Sequence, residues 1–387
     1  MNFLFSSVEL GLMAAAGCLF LLLLCYWLIV YARPLRHANK TTRQQSDKPL
    51  PPVSVVVYSH NERELLRQHL PLLLSQDYPQ FEVIVVNDGP TDEKDELLSS
   101  LKQQYDNIYF TFIPNDAKYL SRKKLALTMG IKAAKYETLL FSEVNCKPLS
   151  NQWIRAMMSS YGKETQIVLG FCAYGNYKGL FHRLIAYDNL LHGIEMISPA
   201  LRHKAFTANG RNLSYKKALF FQHKGFHHSL NLHAGDDDLF VNRFATSANT
   251  EVTYTPDAIT QMERLYHYKV WREYKVSRAA TQKQYKGLRH YLYGFEPLLF
   301  FLFLAVVIAS IIVGIQGNWI VAASAALLYL VRLATKAIIL HKSANMLQQK
   351  PTTWWLPLFE IIQPLYGLYV RIYRVFLGKN DYTFRLG

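Results

Sequence analysis

Val53-Ser54-Val55-Val56-Val57-Tyr58 is a continuous β-branched run that follows the helix-breaking pair Pro51-Pro52. A strand with apolar residues on both faces belongs inside a parallel sheet, covered by helices above and below. The pattern then repeats. Helical periodicity over 62–75 leads to a second such run, Phe81-Glu82-Val83-Ile84-Val85-Val86, which ends in Asn87-Asp88-Gly89-Pro90. A helix over 91–104, a weaker strand over 108–113, a helix over 121–134 and a strand over 138–142 continue the alternation. This order predicts an α/β fold, a doubly wound and mostly parallel sheet with ligands bound at the carboxyl ends of its strands.

Polar residues gather at those ends. Asn61 and Glu62 follow the first strand, Asp88 the second and Glu143-Val144-Asn145 the fourth, while Lys123 opens the third helix. Taken singly, Asn87-Asp88-Gly89 is ordinary turn chemistry and Asn61-Glu62 can cap a helix. Together at one sheet edge they mark a nucleotide site. The chain has no glycine-rich phosphate loop of the dinucleotide or P-loop kind, so phosphates have to be held by a divalent cation and basic side chains.

The apolar content is concentrated at the two ends of the chain. Residues 8–32 carry no charge between Glu9 and Arg33, a stretch long enough to cross a bilayer as a helix. It lacks a basic leader and is too long for a cleaved signal peptide. Residues 297–315 and 319–340 form two further spans joined by Gln316-Gly317-Asn318. Arg33, Arg36, Lys40 and Arg43 follow the first span, Lys275 to Arg289 precede the second, and Lys342 and Lys350 follow the third. By the distribution of basic flanks the domain between the spans faces the cytoplasm at the inner membrane. The net charge of +15 follows these flanks, which suits anionic lipid rather than nucleic acid. Residues 354–377 are apolar but broken by Glu360, Pro364, Arg371 and Arg374, the pattern of an amphipathic helix in the interface, anchored by Trp354 and Trp355. Cys146 and Cys172 stand apart in sequence with no metal spacing, and reducing cytosol disfavours a disulfide. The organisation expected is a membrane helix (1–32), a basic linker (33–50), a soluble domain (51–290), a membrane hairpin (291–342) and an interfacial helix with tail (343–387).

Asp236-Asp237-Asp238 follow Gly235 and precede the apolar Leu239-Phe240-Val241. Adjacent carboxylates repel and resist ionising. Such a triplet serves a cation, a basic group or a proton transfer, or else is a solvated turn. His227, His228 and His233 precede it without ligand spacing and read as surface or acceptor-pocket residues.

In this order and spacing, SVVVYSHNE (54–62), VIVVNDGPTD (83–92), SRKKLALTMGIKAA (121–134), LLFSEVNCKP (139–148), FTANGRNLSYKKALFF (206–221) and GFHHSLNLHAGDDDLFVNRFAT (225–246) resemble the membrane-anchored bacterial branch of the family 2 glycosyltransferases. The resemblance implies a GT-A-type fold and transfer of a sugar, with inversion, from a nucleoside diphosphate to a hydroxyl. The acceptor implied is a lipid-linked or membrane-proximal glycan of the cell envelope. By the same resemblance Asn61, Glu62 and Asp88 contact base and ribose, and Lys123 lies near the nucleotide. Glu143 and Asn145 stand at the Mg2+ or Mn2+ motif. Gly210, Arg211 and Asn212 line the acceptor side with Asp236 beside them. Asp237 falls on the general base, and Arg278 near the motif that closes over the diphosphate.

Two positions depart from that pattern. Asn145 replaces a second carboxylate, which leaves one charge fewer for a hard cation. In the closing motif Tyr274 and Ser277 stand where Gln and Arg are expected, and Arg278 supplies the charge only after a shift of one residue, about 100° of helix rotation. A catalytically impaired homologue, acting as membrane scaffold or nucleotide-binding partner, is the alternative reading.

Overall fold

A computed structural model describes residues 5–41, 50–60, 62–89, 92–114 and 121–376. Helix α1 (Ser7–Tyr26) starts at a capping box in which Ser6 and Glu9 satisfy each other's backbone N–H groups. It widens into a π turn over Trp27–Tyr31. Helix α2 (Arg33–Thr41) follows directly, so the expected basic linker is helical through Thr41. Its first residue is held by tertiary contact: Arg33 donates to the Ser198 carbonyl at 3.1 Å.

The strands are β1 (Val53–Ser59), β2 (Phe81–Asn87), β3 (Ile108–Phe112), β4 (Thr138–Glu143), β5 (Cys146–Pro148), β6 (Ile167–Leu169), β7 (Cys172–Tyr174), β8 (Leu213–Lys216), β9 (Thr250–Val252) and β10 (Thr260–Met262). Seven form one sheet in the order β3-β2-β1-β4-β8-β6-β9. β8 pairs antiparallel with both neighbours, and the other pairings are parallel. Strand β1 is buried on both faces, as its composition predicts: Val56 joins one core, while Val53, Val55 and Val57 join the other. Register sets Tyr58 beside Glu143 and Val86, aligning the polar ends of β1, β2 and β4. Helices α3 (Arg63–Leu74), α4 (Asp92–Gln104) and α5 (Arg122–Ala133) alternate with these strands.

Strands β5, β10 and β7 form a second, three-stranded sheet. It brings Cys146 and Cys172, distant in sequence, to a buried Sγ–Sγ separation of 3.8 Å. Around the two sheets lie α6 (Trp153–Met158), α7 (Leu180–Ala200), α8 (Lys217–Gln222), α9 (Asp238–Phe244), α10 (Tyr268–Gln282) and α11 (Arg289–Gly294).

Helices α12 (Glu296–Gln316) and α13 (Trp319–Met346) form the expected hairpin. Together with the first helix they give three helices, among the described residues, long and apolar enough to cross a membrane. At the hairpin turn the backbone N–H of Asn318 donates to Glu9 at 3.1 Å. At the opposite end Arg332 and Lys336 are buried with Glu296 and Glu360. Arg332 pairs closely with Glu360 and lies 3.5 Å from Glu296, and Lys336 stands 3.4 and 3.7 Å from the same two carboxylates. Trp27 Nε1 donates to Glu296 at 2.9 Å. Two cations thus meet two anions, so neither sign is buried alone.

Glu360 belongs to α14 (Leu356–Phe376), the expected amphipathic helix. One side grips the soluble domain: Tyr366 stacks on Trp271 at 4.5 Å, and Gln363 donates to Asp188 at 2.9 Å. Leu358, Ile361, Leu365, Leu368 and Ile372 are exposed at helical spacing along it. Trp354, just before this helix, is almost fully exposed.

Candidate active site

Several element ends converge on one cleft. Tyr58 at the end of β1, Ser142 and Glu143 at the end of β4 and Lys123 in the first turn of α5 line it, with Gly210, Asp236 and Asp237. Lys123 Nζ stands 2.8 Å from Glu143 Oε1 and 2.9 Å from Asp236 Oδ2. Arg211 Nε stands 2.9 Å from the other Glu143 oxygen, and the Tyr274 ring covers its guanidinium at 4.3 Å. Burial opposes the charge on Glu143, but Arg211 and Lys123 outweigh it and hold the carboxyl down at about 2. Against the same burial, Asp236 and Glu143 keep the Lys123 ammonium well above the usual lysine range.

The three aspartates occupy three different environments. Gly235 precedes them with φ of +96°, and a β-carbon there would come within 2.6 Å of Leu239. Only glycine takes that turn without strain. Asp236 is buried against Lys123. Asp238 opens α9 and is buried, accepting from Thr281 and, at 2.8 Å, from Tyr285. Asp237 is the N-cap between them and keeps part of its surface open. Its Oδ1 accepts from the Asp238 N–H and its Oδ2 from the Gly210 N–H, both at 2.7 Å. A β-carbon on residue 210 would press on Asp237 Oδ2 at 3.3 Å, so glycine permits that approach. Burial first, and then Asp236 and Asp238, push the Asp237 carboxyl up to about 7. A carboxylate of that basicity can accept a proton from a bound hydroxyl near neutral pH.

The loop carrying the triplet is tied to α5. Lys124 Nζ donates to the carbonyls of Ser229 (2.5 Å) and Leu232 (2.9 Å), and Ser121 donates to the His233 carbonyl at 2.7 Å. Asp88 at the end of β2 is buried with Arg122 Nε at 2.6 Å, Tyr58 OH at 3.1 Å and His60 at 3.3 Å. Burial opposes its ionisation, but His60 and Arg122 hold it below the usual carboxylate range.

Other expected site residues lie elsewhere. Arg278 points to α7, where it meets His192 and lies 4.0 Å from Glu195. It is Tyr274, one turn earlier on α10, that reaches the Glu143 cluster. Asn212 is a buried strut, accepting from Trp153 at 3.1 Å and donating to the carbonyls of Phe171 (2.9 Å) and Ala258 (2.8 Å). Asn145 lies beyond the cleft lining, with its Oδ1 3.1 Å from Cys146 Sγ. Glu62 is the residue before α3, and Asn61 lies outside the described residues. The reading of the sequence missed Tyr58, Arg122, Tyr274, Thr281 and Tyr285. Tyr58, Arg122 and Tyr274 lie within motifs already quoted, whereas Thr281 and Tyr285 follow only from how α10 and the segment after it pack.

These residues do not make a divalent-cation cage. Both Glu143 oxygens face a cation of the chain, Asn145 is off the cleft, and among the described residues no three His, Cys, Asp or Glu are grouped to hold a metal.

The sheet order and the cleft at its carboxyl edge define an α/β domain of GT-A type. A mannosyltransferase from Pyrobaculum calidifontis, solved with GDP-Man and Mn2+, shares this fold with a TM-score of 0.53 and 17% identity, over 94% of this chain and 99% of that one. Residues 54–222 match the model for glycosyl transferase family 2. The chain carries a glycosyltransferase family 2 domain. It is 30% identical over 117 residues to the poly-β-1,6-N-acetyl-D-glucosamine synthase of Staphylococcus epidermidis, covering 30% of this chain and 26% of that protein. It is 24% identical over 255 residues to the probable glycosyltransferase YdaM of Bacillus subtilis, covering 64% of this chain and 58% of that protein. The chain therefore spans a quarter to three fifths of these relatives.

Proposed function

We propose that this chain transfers a sugar, with inversion, from a nucleoside diphosphate sugar to a hydroxyl of a lipid-linked or membrane-proximal glycan. One observation carries the reading. A partly open carboxyl raised to about 7, Asp237, faces the same cleft as the cation Lys123 at the carboxyl edge of the sheet. In the reaction, Asp237 takes the proton of the acceptor hydroxyl as its oxygen bonds to the anomeric carbon. The bond from that carbon to the diphosphate breaks, and the leaving group carries the electron pair away toward Lys123. Asp88 and Tyr58 at the neighbouring strand ends suit the nucleoside end of the donor. Three helices among the described residues are long and apolar enough to cross a membrane, and with their basic flanks they support a domain held at the cytoplasmic face of the inner membrane. The acceptor is therefore one that reaches the bilayer surface, as in assembly of an envelope polysaccharide.

The test is release of nucleoside diphosphate by the full chain in lipid nanodiscs. UDP-N-acetylglucosamine and GDP-mannose, the sugars in the names of two relatives, open the donor panel, each with and without a membrane lipid extract as acceptor. Release that rises with the extract is expected. Binding of a donor without release, under every acceptor condition, would favour the scaffold reading instead.

A further inference from the structure

We propose that this chain holds the donor diphosphate with its own Lys123 in the role that a divalent cation would fill, so that donor binding needs no metal. This rests on the donor reading above and adds to it. A metal at this edge would have to share carboxylates that already face the chain's own cations. Glu143 has Lys123 on one oxygen and Arg211 on the other, at 2.8 and 2.9 Å. Asp236, the next carboxylate facing the cleft, is 2.9 Å from the same Lys123 Nζ. A dication there would be repelled by two positive charges already within contact distance of these carboxylates.

Lys123 is built for the replacement. Its ammonium bridges Glu143 and Asp236 and has three N–H donors, so one remains for a phosphate oxygen. It lines the cleft, while Arg211 does not and is buried beneath the Tyr274 ring. Lys123 is therefore the group that meets the diphosphate. Arg211 is a positioning residue that neutralises Glu143 from behind. The sequence departures fit the same account: Asn145 supplies one negative charge fewer for a cation, and Tyr274 takes a motif position to cover Arg211. A compact ammonium acts as a point charge toward phosphate, as a divalent ion does.

Calorimetric titration of the full chain in nanodiscs with UDP and GDP, in EDTA and then in millimolar Mn2+ or Mg2+, tests this. Affinity for the bound nucleotide should agree within about threefold across the three conditions. Electron paramagnetic resonance of Mn2+ should show that adding protein reduces the free-ion signal no further than the same concentration of nucleotide does alone. Lys123→Ala should weaken nucleotide binding at least tenfold in EDTA, and Lys123→Arg should restore most of it. If Lys123→Ala does not fold, the wild-type comparison and the Mn2+ spectrum decide alone. Tenfold or greater loss of binding in EDTA, or a stoichiometric bound-Mn2+ signal, overturns the inference and leaves the donor reading standing. No binding of either nucleotide under any condition overturns both.

Discussion

Asp237→Asn is the substitution that most directly separates catalysis from stability. The amide is isosteric and still accepts one of the two N–H groups, from Gly210 or Asp238, that now reach the carboxylate. It cannot take a proton, so turnover should fall about 10²- to 10⁴-fold, the usual contribution of a positioned base. Stability should move the other way. With its carboxyl pushed from 3.8 up to about 7, folded Asp237 binds its proton more tightly than the unfolded chain does. Its stabilising contribution is present below about pH 4 and lost as pH rises to about 7. Above that range ionised Asp237 costs on the order of 3 kcal/mol, discounted for its partial exposure and its coupling to Asp238. Removing the charge recovers part of this, against one weakened hydrogen bond of about 1 kcal/mol. At pH 8 the variant should thus melt no lower than wild type while losing nucleoside diphosphate release. The wild-type rate should climb through pH 7 and level above it, because the base must be ionised to act. Turnover within threefold of wild type, or a rate that falls as pH rises from 6 to 8, would refute the assignment.

Three other perturbations probe the frame around the site. Gly235→Ala forces a side chain into φ of +96° and onto Leu239, so it should destabilise by about 1–3 kcal/mol and slow turnover while donor affinity holds, read by melting and titration together. Arg332→Ala leaves Glu296 and Glu360 sharing only Lys336; loss of about 3–5 kcal/mol is expected, seen as early melting in detergent. A cysteine at position 317, in the turn beside Glu9, should label from the periplasm in intact cells, whereas a periplasmic reporter fused after Gly387 should stay inactive.

How far the sequence could be read depended on the length of each signal. The runs at 53–58 and 81–86 are long and doubly apolar, so their strands and ends were legible, and with them Asp88, Glu143 and Lys123 at one edge. The second sheet was not, because β5, β7 and β10 span three residues each and three residues carry no periodicity. That sheet joins Cys146 to Cys172 and sits beside Arg211, so the cover of Arg211 by Tyr274 was hidden with it. Arg278 carries the charge that Ser277 lacks, but a helix position fixes only a direction, and His192 and Glu195 on α7 draw the side chain aside. The triplet was recognisable as chemistry, yet its division of labour needed partners from Gly210, Lys123 and Thr281, up to 113 residues away (Asp236 to Lys123). The stretch after Arg33 lacks helical periodicity of apolar residues, and its helix is sustained by contacts such as that with Ser198.

The quartet of Arg332, Lys336, Glu296 and Glu360 also imposes an order of biogenesis. Translation delivers Glu296 first, then both cations, and Glu360 last. Until α14 emerges, the hairpin carries two positive charges against one negative. Return of α14 therefore both balances the charge of the hairpin and, through Tyr366 on Trp271 and Gln363 on Asp188, docks it on the α/β domain. A nascent chain arrested after Met346 should remain chemically distinguishable from the finished protein, and open to the proteases that clear incomplete membrane proteins.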